Sequence, residues 1–120
     1  MATVTVAKAD YLEHANYTWT PLTTTNADGS GAGYAGAGDR SVQVLGTFGV
    51  GGTCIIEGSL DGGTTWAPIN DLGGTALSFT AAGIKGIRED VLLVRPRVTG
   101  GDGTTSLTVI MCVRRLTSGY

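Results

Sequence analysis

The sequence predicts an all-β fold: an antiparallel β-sandwich of jelly-roll or Greek-key type, with an extended N-terminal arm. Three observations predict it. Val, Ile and Leu fall in short runs that alternate with polar residues at period two, the spacing of a strand with one buried face. The 20 glycines have no three-residue period and cluster between those runs, which excludes collagen and suits a sheet protein with many tight turns. About seven or eight such runs can be counted with hardly any helical pattern, and 120 residues suffice for one such domain to bury a core without staples.

Residues 1–40 read as the arm with a Gly/Thr-rich loop, and residues 41–120 as the sandwich domain, to which the arm is free to contribute strands. Residues 3–7 fit a short strand and residues 8–15 one helical turn. NYTWTPL, residues 16–22, alternates Tyr17 and Trp19 against Thr18 and Thr20 until Pro21, whose missing N–H argues against a central strand. Residues 23–39, TTTNADGSGAGYAGAGD, carry one aromatic, Tyr34, and too little apolar surface to order themselves. Two readings stay open: a flexible loop, or an arm that becomes ordered against a partner surface with Tyr17, Trp19 and Tyr34 as anchors.

Residues 41–66, SVQVLGTFGVGGTCIIEGSLDGGTTW, read as two successive hairpins. Val42, Val44, Gly46 and Phe48 share one strand face, Gly49, Val50, Gly51 and Gly52 form the first turn, and Cys54, Ile56, Gly58 and Leu60 share a face of the return strand. The second turn, SLDGGTTW, fits the S-x-D-x-G-x-x-W pattern called an Asp box in sialidases and related β-propellers, where it stabilises a turn and holds no catalytic residue. Asp61 is placed to bond N–H groups of its own turn, Gly62 and Gly63 permit left-handed backbone, and Trp66 packs over the hairpin. A propeller of several blades of ~40 residues does not fit in this chain.

Beyond it, residues 66–69 start a strand that Pro68 confines to an edge, residues 70–74 form a loop, and residues 75–80 alternate Leu77 and Phe79 against Ala76, Ser78 and Thr80. Residues 81–90 read as a connection, with room for one helical turn, long enough to cross between sheets. Residues 91–99 and 105–115 read as a last hairpin, turning at Gly100, Gly101, Asp102 and Gly103. Leu92, Val94 and Val98 mark one face of its first strand and Arg95 and Arg97 the other, while Pro96 requires an edge or a bulge.

Residue types that carry chemistry are scarce. His14 is the one histidine, next to Glu13 in a weakly patterned segment, and no CxxC or HxxxH spacing offers zinc a site. Asp61 and Asp102 bring one carboxylate each to a Gly-rich turn, too few for calcium, and turn formation already accounts for both. Gly49 to Gly52 lack the lysine and following helix of a phosphate loop. Catalytic residues, metals and cofactors are therefore not expected. Cys54 lies with the apolar residues of its strand and Cys112 on the polar side of its own, so the two are expected to be reduced, in a protein made in a cytoplasm. No run reaches the ~20 apolar residues of a bilayer span. Net charge is -2, and Lys85, Arg88, Arg95, Arg97, Arg114 and Arg115 fall late in the chain without interleaved aromatics, which does not favour nucleic acid.

In order, NYTWTPL, GDRSVQVLGTFGVGGTCIIEGSLDGGTTWAPI and RPRVTGGDGTTSLTV resemble the small virion proteins encoded among the head genes of tailed bacteriophages, the head decoration or cement proteins. The resemblance spans residues 16–115. It implies a β-sandwich or jelly roll that sits outside the capsid as a dimer or trimer and clamps neighbouring major capsid protein subunits, with no catalytic or metal residues. Under that implication the arm and the Gly-rich turns make the contacts, with Tyr17, Trp19, Tyr34, Arg95 and Arg97 as expected contact residues. Asp61, Gly62, Gly63, Trp66, Gly100, Gly101, Asp102 and Gly103 are expected to build the turns. The alternative is a tail or fibre sandwich module that binds carbohydrate, marked by an exposed Trp19 or Trp66.

Overall fold

The computed structural model describes residues 3–11, 14–33 and 37–115, and of residues 37, 38 and 115 the backbone alone. Among these residues are nine strands and no helix: β1 Ala7–Asp10, β2 His14–Leu22, β3 Ala37–Thr47, β4 Thr53–Ser59, β5 Ala67–Pro68, β6 Ser78–Phe79, β7 Gly83–Ile87, β8 Leu93–Gly100 and β9 Ser106–Arg115. They form two antiparallel sheets packed face to face. The first has the order β1-β2-β9-β3-β7. In the second, β8 covers one edge of β4 from Thr53 to Ser59, so β5 and β6 share the other edge. Alternation produces the core: Trp19, Val44, Val109 and Met111 project inward from the first sheet and meet Ile56, Phe79, Val94 and Val98 from the second, all buried.

Two of the expected hairpins are something else. β3 pairs with β7 and β9, and β4 with β5, β6 and β8, so the turn at residues 48–52 carries the chain from one sheet to the other. The same holds for β8 and β9 across residues 101–105. Both are arches. The error has a physical cause: strands of an arch bury facing sides across a core, and strands of a hairpin bury the same side, yet each strand alternates identically. Only the second turn of residues 41–66 closes a hairpin, with Gly58 opposite Ala67.

Among the described residues of 8–15 there is no helical turn; Ala7–Asp10 pairs antiparallel with residues 15–18 of β2. β2 is a central strand despite Pro21, because β1 reaches only to Thr18 and the ladder with β9 slips between Trp19 and Leu22. The connection at residues 81–90 contains β7, which pairs with β3. Leu60 and Leu92, expected on buried faces, are 74% and 55% exposed because each lies just past the end of its strand.

The arm does contribute strands to the sandwich: β1, β2 and the start of β3 lie within residues 1–40. Residues 27–33 run along the outer edge of β8 as an irregular ribbon: Ala32 exchanges backbone hydrogen bonds with Val94, Val98 N donates to Ala27 O, and Gly29 N donates to Pro96 O. Val94 and Val98 turn their N–H groups toward this ribbon, so Pro96, of the same parity, lacks its N–H on that side and leaves the β4 ladder intact. Trp19 Nε1 donates to Ser30 O at 2.7 Å and Tyr17 Oη to Gly33 O at 3.0 Å. These two aromatics do anchor the segment, but onto the protein's own core. The boundary between residues 40 and 41 falls inside β3.

Candidate binding surfaces

One end of the sandwich is built from the two arches. Gly46, next to last in β3, has φ of +119° and lies so close to Ser106 O that a Cβ would collide with it. Asp102 then ties one arch to the other: its Oδ2 accepts from Val50 N at 3.0 Å and its Oδ1 from Thr104 N at 2.8 Å and Thr104 Oγ1 at 2.6 Å. Thr105 Oγ1 donates to Phe48 O at 2.7 Å from the same arch. The clasp holds Val50, the most exposed large apolar residue among those described, at the tip with 81% of its surface open. Sequence reading assigned Val50 to a turn and nothing more; an apolar residue flanked by glycines, GVGG, was the available signal.

The opposite end carries the Asp-box turn. Asp61 Oδ1 accepts from Thr65 N at 2.9 Å, Thr64 N at 3.1 Å and Ser59 Oγ at 2.8 Å, and Trp66 Nε1 donates to Gly63 O at 3.0 Å. Gly62 and Gly63 both have positive φ, as does Gly101 but neither Gly100 nor Gly103 in the other turn. The two Gly-rich turns thus lie at opposite ends, since β4 and β8 pair Thr53 with Gly100 and Ser59 with Leu93. They cannot share one contact patch.

Hydrogen bonds hold both turn carboxylates well below their ordinary 3.8: Asp61 at about 2, chiefly through Thr65 N–H, and Asp102 at about 2, chiefly through the Thr104 hydroxyl and then Val50 N–H. A lowered folded-state value adds stability that is present above the unfolded value and lost as pH falls toward the folded one. The melting temperature is therefore expected to hold from neutral pH down to about 5 and to fall between about 4 and 2. In Asp102→Asn it should start lower at pH 7 and fall less steeply; an unchanged acid slope would remove Asp102 from this account.

On the outer face of the second sheet, Arg95 Nε donates to Glu57 Oε1 at 3.0 Å, and Arg95 Nη2 forms an ion pair with the same oxygen at 3.0 Å. Arg97 lies 3.9 Å from Glu57 Oε2 and 3.4 Å from Asp28 Oδ1. The Arg95 guanidinium also covers the Trp66 ring at 4.5 Å from its centroid. Gly31 approaches the same ring so closely that a Cβ would stand 3.0 Å from Cη2.

The outer face of the first sheet is different in kind. Cross-strand register places Ala9, Asn16, Cys112, Ser41 and Gly86 in one row, and Ala7, Thr18, Ile110, Gln43 and Ile84 in the next. A third row has Thr20, bonded through its hydroxyl to Thr108 at 2.7 Å, and Leu45. None of these side chains is charged. Leu72, from the loop beside β7, lies over Gly86 and extends the face. Lys8 and Lys85 have the opposite parity; they turn to the core side at the two edges, over the rings of Tyr17 and Phe79. Among the described residues, charge returns at one end of this face, where Arg114 approaches Asp39 at 3.7 Å.

These placements sort the expected contact residues. Tyr17 and Trp19 are buried, with Trp19 0% exposed, so neither reaches a partner surface; their hydrogen-bonding tips are used within the chain. Tyr34 lies outside the described residues. Arg95 is committed to Glu57 and Trp66, and of the four described contact residues Arg97 alone keeps a half-open side chain. The late basic residues do not form one patch: Arg95 and Arg97 lie on the second sheet and Arg114 at an end of the first. Cys54 is buried, which pushes its thiol up to about 12, whereas Cys112 is half-buried on the uncharged face; both are free. His14 stacks on Tyr11 with ring centroids 4.5 Å apart. Among the described residues no group of three or more His, Cys, Asp or Glu is placed to hold a metal ion, and no helix is long and apolar enough to cross a membrane.

No protein-family model and no curated protein matches the chain. Among solved structures, the crystal structure of protein NMB1881 from Neisseria meningitidis aligns over 92% of this chain and 83% of that one, at 9% identity and a TM-score of 0.45. A likeness of that size supports no inference about function.

Proposed function

We propose that the protein is a non-enzymatic virion structural protein, which binds the outer surface of a tailed-bacteriophage capsid and stabilises the expanded shell by bridging major capsid protein subunits. The resemblance of its sequence to head decoration proteins supplies the class of partner. The observation that carries a docking role is the arch end, where Val50 is fully presented while its own N–H is fixed by Asp102. An apolar side chain on an immobilised backbone loses little further freedom when it enters a partner's surface, which favours binding.

The mechanism is linkage. A protein that prefers the expanded lattice shifts the shell toward that state by its differential affinity, and many modest copies act together. The working location is then the capsid exterior, after synthesis in the host cytoplasm. Carbohydrate binding by a tail or fibre module gains no support, because Trp19 is interior and Trp66 is overlain by Arg95.

Co-sedimentation with expanded heads that lack the protein tests this reading. Saturation at a fixed multiple of the icosahedral lattice is expected, with little binding to unexpanded shells. Val50→Asp should weaken binding at least about tenfold, or about 1.4 kcal/mol, while leaving the melting temperature close to wild type. Absence of saturable binding to either shell would overturn it.

A further inference from the structure

We infer that the uncharged outer face of the first sheet is the contact between two copies of this chain, packed sheet to sheet about a two-fold axis. The inference concerns the free protein and does not depend on the capsid reading.

Identical faces meet in such a contact, so any charge near its centre would confront its own kind. Here the three central rows carry none, and the lysines of both edge strands are turned to the core side. Leu45, Leu72 and Ile84 are three of the large apolar side chains left exposed, and all three belong to this face. The other outer face offers the reverse, with Arg95, Arg97 and Glu57 at its middle.

The area is of the right order. With strands about 4.8 Å apart and rows about 6.8 Å apart, two rows five strands wide and a third three strands wide give about 420 Å² in projection. Two such faces together cover about 850 Å² of projected area, close to the ~1,000 Å² that a specific interface has to clear.

The 120-residue chain is expected to sediment at twice its 12.2 kDa mass at micromolar concentration. Gln43→Lys and Ile84→Glu, both at exposed positions, should each raise the dimer dissociation constant at least about tenfold by burying a charge. Cys112 lies on β9, the middle strand, so a short bis-maleimide should join two copies through it. The cross-link should vanish in Cys112→Ser and weaken in Gln43→Lys. A monomer at about 100 µM, a trimer, or a dimer that both charge variants leave intact would overturn the inference. So would a monomeric wild type whose head binding is abolished by Gln43→Lys, which would assign the face to the capsid protein.

Discussion

Trp19→Ala is expected to cost about 3–5 kcal/mol, the range for emptying a fully buried aromatic site. Against the roughly 5–15 kcal/mol that holds a domain of this size folded, that is enough to populate unfolded chain near physiological temperature. Two effects combine. The indole is wholly buried between the sheets, and its N–H is the donor to Ser30 O that fixes the ribbon over β8. Gly29 lies so close that a Cβ there would stand 2.7 Å from Trp19 Cδ1, so the ribbon would lose its floor as well as its bond. Urea denaturation reads the loss. Trp19→Phe, which keeps most of the volume but leaves Ser30 O without this donor, should lose clearly less. By the same reasoning a chain lacking residues 1–38 should fail to fold, since it has lost β1, β2 and the ribbon. A truncated chain with a cooperative melt would show that the sandwich does not need them.

The second large effect is expected at Glu57. Its side chain is 7% exposed and receives both Arg95 nitrogens, with Arg97 behind them. Glu57→Ala leaves a guanidinium facing another across an emptied site, and the expected loss is about 3 kcal/mol, at the lower end for a broken buried pair because the arginines keep some access to water. Replacing the pair together, Glu57→Leu with Arg95→Met, should recover most of it, since no buried charge is then left alone. A double-mutant cycle separates the two cases; single variants that add up without coupling would mean that Glu57 acts by packing alone.

Much of the fold is legible in alternation. The buried positions of β2, β3, β4, β8 and β9 follow from Trp19, Val44, Ile56, Val94 and Val109 at period two, and the Asp-box turn follows from the residue types of SLDGGTTW. Partnership is not legible, because a strand's own pattern records that one face is buried and not which strand lies beside it. Hence the arches read as hairpins. The ribbon was missed for a related reason: residues 27–33 are ordered by backbone hydrogen bonds and by aromatics from another segment, so their own composition carries no sign of it. Arg95 and Arg97 were placed correctly on one face, yet their neutralisation by Glu57 and Asp28 depends on a strand pairing that the sequence does not display.

The position of β9 bears on how the chain reaches this state. The latest strand in sequence occupies the middle of the first sheet, between β2 and β3, and no earlier strand bridges that gap. A nascent chain that has not yet reached Ser106 therefore holds two open strand edges with no common neighbour, so the first sheet cannot close before β9 is made. The pairings of β9 join residues some 60 to 100 positions apart, such as Val44 with Val109 and His14 with Arg114. Topologies dominated by such distant pairs fold in milliseconds to seconds rather than microseconds, and through that interval the unclosed edges are free to pair with other chains.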